Sequence, residues 1–148
     1  MSSINRKLLG TFKYLNTDLE LRSTENLRPL DEALRANGFR SLHVETGPDG
    51  ICYATFEISF IQADPEVTIA RMLDEIEVLN EPHRTTWRTC AQREFNIGYD
   101  CGDEPWAYNQ GLSNDLLRRI AASGASLRIT LYPIRKEKRS KAKGTKPG

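Results

Sequence analysis

Apolar and polar residues alternate from Thr11 onward. Leu15, Thr17, Leu19 and Leu21 fall on one side, and Asn16, Asp18, Glu20 and Arg22 on the other. A period of two with one polar face predicts a half-buried strand. The period then changes. Leu27, Leu30 and Leu34 recur at helical spacing behind Ser23 and Thr24 as N-caps, with Pro29 in the first turn and Asn37-Gly38 as the stop.

Leu42 and Val44 predict a short second strand, and Gly47-Pro48-Asp49-Gly50 a turn. Cys52, Ala54, Phe56, Ile58 and Phe60 alternate with Tyr53, Thr55, Glu57 and Ser59, which predicts an antiparallel hairpin with the strand before. Asp64-Pro65-Glu66 supplies a cap, a proline for the first turn and an acid suited to the helix dipole. Ile69, Met72, Leu73, Ile76 and Leu79 form the inward stripe of that second helix. Pro82 breaks or kinks it, and His83 to Cys90 continues helically with Trp87 turned inward.

Phe95, Ile97 and Tyr99 make a fourth strand. After a loop from Asp100 to Gly111, Ser113 caps a third helix. In that helix Leu116, Leu117 and Ile120 face the core, Leu112 staples onto Leu117, and Gly124 ends it. Leu127, Ile129 and Leu131 alternate as a fifth strand up to Pro133. The order is β-α-β-β-α-β-α-β. The expected class is α+β: a ferredoxin-like β-α-β-β-α-β core extended by a C-terminal α-β, forming one mostly antiparallel sheet with helices on one face.

Composition narrows the function classes. With 148 residues, 39% of them apolar, the chain has the length and content of one ordinary globular domain, placed at 1–134. No apolar run approaches the roughly 20 residues a membrane span needs, and no signal or transit peptide is read at the N-terminus. Cys52, Cys90 and Cys101 are odd in number and widely spaced, without a CxxC pair. They are expected to be reduced thiols, in keeping with a cytoplasmic protein.

The net charge of +1 conceals an asymmetry. Residues 135–148 carry seven basic side chains and one acidic, so the tail is +6 and the body −5. Without apolar residues beyond Ala142, the tail is expected to be disordered. Its cations between Arg135 and Lys146 suit nucleic-acid phosphates, but it lacks aromatics to stack on bases.

Chemical motifs are scarce. There is no GxSxG elbow, no phosphate loop and no zinc spacing. Cys90 and His83 share a helix face but stand about 10 Å apart along it, too far for a nucleophile and its base. Asp100, Asp103 and Glu104 offer oxygen ligands without the regular spacing of a calcium loop. No metal or cofactor is expected.

One segment remains: FNIGYDCGDEPWAYNQG, residues 95–111. It sets Tyr99, Trp106 and Tyr108 among Asp100, Asp103, Glu104 and Asn109. Aromatic and polar groups in a loop favour contact with a partner. The structural alternative is that Trp106 and Tyr108 fold back to cap the sheet end.

The longer stretch FNIGYDCGDEPWAYNQGLSNDLLRRIAASGASLRITLYP, together with KYLNTDLELRS and DPEVTIARMLDEIEVL, resembles an uncharacterised family of small bacterial proteins over most of Thr11 to Pro133. The resemblance implies a bacterial cytosolic origin and transfers no catalytic residue.

The expected function is therefore a non-enzymatic binding or regulatory domain using the Asp100–Gly111 loop, with a protein partner or a second copy of the chain. The alternatives are an enzyme with an acidic site at Asp100, Asp103 and Glu104, and a nucleic-acid-associated protein acting through its tail.

Overall fold

Residues 10–58 and 64–134 are described by the computed structural model. Their elements are β1 (Lys13–Ser23), α1 (Arg28–Ala36), β2 (Phe39–Thr46), β3 (Cys52–Ile58), α2 (Pro65–Glu77), α3 (His83–Arg88), β4 (Gln92–Asp100), α4 (Asn114–Ser123) and β5 (Ser126–Tyr132). The fold is α+β, with one five-stranded sheet in the order β2-β3-β1-β4-β5.

The sheet is mixed rather than mostly antiparallel. The β2/β3, β3/β1 and β1/β4 ladders are antiparallel, whereas β5 runs parallel to β4. The connection explains the difference. A tight turn returns β2 antiparallel as β3, whereas β4 reaches β5 through a loop and α4, the crossover a parallel neighbour requires.

Sheet parity decides what is buried. Leu19 and Leu21 on β1, Phe56 and Ala54 on β3, and Phe95 and Ile97 on β4 all turn inward, in register with one another. They join Leu30 and Leu34 of α1, Ile69, Met72 and Leu73 of α2, Trp87 of α3, and Leu116 and Ile120 of α4 in one apolar cluster. A Leu or Phe withdrawn completely in this way contributes roughly 1.5–3 kcal/mol. The other sheet face carries polar side chains.

The helix ends follow local chemistry. Asp64 accepts the Val67 N–H at 2.9 Å, and Ser113 accepts that of Leu116 at 3.1 Å. Gly124 ends α4 in the left-handed conformation, φ 82°. Arg93 fastens two helix ends at once: it donates to the carbonyls of Trp87, Arg88 and Cys90 behind α3, and to that of Gly124 behind α4. Glu66 receives both the N–H and the hydroxyl of Ser113, and Arg119 of α4 bonds Asp74 and Glu77, so α2 and α4 are tied at both ends.

Several expectations are corrected. Ser23 and Thr24 do not cap α1. The helix begins four residues later, where Asn26 accepts the Arg28 N–H at 3.0 Å. Leu15 is exposed because a β-bulge between Tyr14 and Asn16 breaks the alternation. A second register shift, between Ser41 and His43, leaves Leu42 exposed. Leu117 is 45% exposed: α4 turns Leu116 and Ile120 inward and leaves their neighbour outside. Ile129 and Leu131 are likewise exposed, since β5 is an edge strand. Phe60 lies outside the described residues.

Candidate functional site

The segment from Asp100 to Gly111 leaves the end of β4 and is fastened at once to the start of the described chain. The Asp103 N–H donates to the Gly10 carbonyl at 2.9 Å, and the Phe12 N–H donates to that of Glu104 at 2.7 Å. The Gly10 N–H in turn donates to the Asp103 carboxylate at 3.3 Å. Between these bonds Gly102 permits the approach: a Cβ there would stand 2.4 Å from the Gly10 oxygen and 2.5 Å from the Thr11 carbonyl carbon. Cys101 adds a bond from its N–H to the Tyr132 carbonyl, joining the loop to the end of β5.

Tyr108 anchors the far side. Its ring stacks on Phe12 with centroids 4.9 Å apart and meets Tyr99 edge-on at 5.5 Å. Tyr99 in turn lies 5.9 Å from Tyr14, whose hydroxyl shares a hydrogen bond with that of Thr17 at 2.8 Å. This aromatic group fills the sheet end under the loop. Tyr99 is buried, and its hydroxyl has no hydrogen-bond partner among the described residues. Burial, with Tyr108 and Tyr14 beside it, pushes that phenol up to about 12. Tyr99 is therefore a core residue.

Trp106 differs from its neighbours in one decisive number: it is 96% exposed. Glu104, Pro105, Ala107, Asn109 and Gln110 around it are exposed too. The segment is thus a loop with fixed feet and a bare indole between them. Beside its first foot, Gly10, Thr11, Lys13, Asp100, Cys101 and residues 133–134 line an open cleft of about 280 Å³. That is just below the usual range for a drug-sized ligand.

The expected site residues accordingly separate. Tyr99 and Tyr108 are structural, Asp103 spends a carboxylate oxygen on a backbone N–H, and Asp100 faces the cleft. Glu104, Trp106 and Asn109 reach solvent. Among the described residues no three His, Cys, Asp or Glu side chains are grouped to hold a metal ion.

A second polar arrangement lies on the open sheet face, among residues that the sequence did not single out. Glu20 of β1 stands opposite Glu94 of β4, and Asp18 opposite Asn96. Asn16 donates to Asp18 at 2.9 Å, Asn96 to Glu20 at 3.1 Å, and Thr130 to Asn96 at 2.7 Å. Arg128 donates to Glu94 at 2.7 Å, and Arg40 pairs with Glu57. Burial raises the Asp18 carboxyl to about 6, with Glu57 and Glu20 adding to the rise. The sequence signal was the polar half of each alternating strand; only the strand order brings those halves together.

The thiols do not form a site. Cys52 and Cys90 are buried, and burial pushes Cys90 up to about 11, away from a reactive thiolate. No helix among the described residues is long and apolar enough to cross a membrane. No family model, curated protein or solved structure matches the chain.

Proposed function

We propose that this domain acts by binding rather than by catalysis, with the Asp100–Gly111 loop as its contact surface and a protein, another chain or a second copy of this one, as its partner. The observation that carries this reading is the 96% exposure of Trp106 on a loop fastened on both sides. A large apolar side chain left in water costs solubility and gains the fold nothing. With the loop on either side fastened beforehand, docking has only the indole's own rotamers left to order, and tryptophan is among the residues that dominate interface energies. The polar groups of Glu104, Asn109 and Gln110 would form the rim.

An acidic enzyme site at Asp100, Asp103 and Glu104 has weaker support, because Asp103 already serves the backbone of Gly10. A nucleic-acid role for the tail concerns residues outside the described part. At the level of the fold, we read β1 to β4 with α1 and α2 as a ferredoxin-like split unit. The reading is supported by the order β2-β3-β1-β4 with antiparallel neighbours throughout.

The test compares cross-linked complexes from native cells for the wild-type chain and Trp106→Ala, alongside sedimentation of both purified proteins. Loss of one defined complex, or of a dimer, in the variant is the expected result. Identical complexes and identical sedimentation would refute a role for the loop.

A further inference from the structure

The sheet face turned away from the helices carries charge unevenly. Asp18 and Glu20 stand on β1, the central strand; Glu94 flanks Glu20 on β4, and Glu57 of β3 acts on Asp18. The outer two carboxylates have direct cations, Arg40 of β2 on Glu57 and Arg128 of β5 on Glu94. The inner two are hydrogen-bonded by neutral amides, Asn16 on Asp18 and Asn96 on Glu20. Arg128 acts on Glu20 from a distance, and Arg22 stands two positions farther along β1 on the same face, which leaves four carboxylates against three guanidinium groups. Burial and the neighbouring acids raise Asp18 accordingly. Such a surface gains from a cationic partner.

The chain carries one. Tyr132 ends β5 with its ring against Gly98 on this same face, and Ile134 lines the cleft beside Lys13 and Asp100. The described chain therefore ends, at Ile134, at a corner of the open face. From there fourteen residues follow, seven of them basic and one acidic. Asp18 pairs across to Asn96, and Asn96 to Arg128, four positions before Tyr132. At about 3.3 Å per residue along a strand and 4.8 Å between strands, the corner lies roughly 16 Å from Asp18. Five or six extended residues span that gap, and the rest remain to lie over the face. The segment offers no side chain that needs a core, and the face is polar apart from the part-exposed rings of Tyr53 and Tyr132.

We propose that residues 135–148 dock in cis on the open sheet face, placing their basic side chains over Asp18 and Glu20. The tail then shields the acidic face, and anything anionic that the tail binds must first displace it.

The full chain provides the test. Carboxyl NMR follows Asp18 through a pH titration in the wild type and in a chain whose seven tail cations are replaced by glutamine. A unit charge placed within about 5 Å in solvent should lower the Asp18 midpoint by about half a pH unit, a three-fold change in proton affinity. The wild type is therefore expected to titrate lower than the neutral-tail chain. The gap should close in about 0.5 M salt, and the carboxyl signal of Glu32, exposed on α1, should be the same in both chains. Asp18→Asn with Glu20→Gln, again in the full chain, should abolish the salt-dependent shifts of the Asn96 and Thr130 amides. Equal midpoints, a gap that persists in high salt, or a gap that grows with protein concentration and so reports docking in trans, would each overturn the proposal.

Discussion

Replacing Gly102 with alanine tests how the loop is held. The added Cβ would sit 2.4 to 2.6 Å from backbone atoms of Gly10 and Thr11. Ordinary contact begins near 3.5 Å, so the two segments must part by about 1 Å. Three hydrogen bonds cross this junction, at 2.7, 2.9 and 3.3 Å, and each would pass beyond bonding distance. At about 0.5–1.5 kcal/mol net for each bond, and with a similar loss where Phe12 slides off Tyr108, partial solvation leaves a cost of about 2–3 kcal/mol. The cause is contact alone, since Gly102 does not take a left-handed φ. Urea unfolding measures the global part. Amide exchange at Phe12 and Asp103 measures the local opening, because these two N–H groups donate the two backbone–backbone bonds of the three. Stability within about 0.5 kcal/mol of wild type, with both amides still protected, would refute this description of the junction.

Other outcomes follow from single contacts. Arg93→Ala removes four hydrogen bonds to helix-end carbonyls and should cost about 2–4 kcal/mol in urea unfolding, with exchange accelerated at the ends of α3 and α4. Trp106→Ala should leave stability within about 0.5 kcal/mol of wild type by the same assay, because the indole touches little. Half-exposed Cys101 should react with a thiol reagent in the native protein, and Cys52 and Cys90 only on unfolding. Asp18 binds its proton more tightly when folded, its carboxyl rising from 3.8 to about 6, so its penalty is absent below 3.8, grows as pH rises from there to about 6, and is complete above. In the neutral-tail chain, Asp18→Asn should therefore gain about 1–2 kcal/mol at about pH 8, half the full conversion because the side chain is partly exposed, and nothing at about pH 3. Urea unfolding at both pH values checks the sign.

Residues with strong local rules were legible in the sequence. The alternation of Cys52 to Ile58, the Asp64-Pro65 start, the Ser113 cap and the Gly124 stop act within a turn or a strand, and the structure keeps each of them. What local rules do not encode was misjudged. The bulge at Tyr14/Asn16 is set by pairing with β4, which no window of β1 contains. Leu117 and Ile129 read as core by period, yet α4 turns Leu116 and Ile120 inward and leaves Leu117 outside, and Ile129 lies on the edge strand β5. The loop was picked out by composition, which cannot tell Tyr108, stacked on Phe12, from Trp106, bare in solvent. The network of Asp18, Glu20 and Glu94 joins strands that lie far apart in the chain, and it came into view only with the register.

The central claim is that a firmly held loop presents Trp106 to a partner. Backbone and indole ¹⁵N relaxation of the free protein tests it most directly. Order parameters near 0.85 at Asp103, Glu104 and Tyr108, with the Trp106 indole N–H exchanging freely with water, are the expected result. Values below about 0.6 across the loop, or a Trp106 indole protected from exchange, would contradict it.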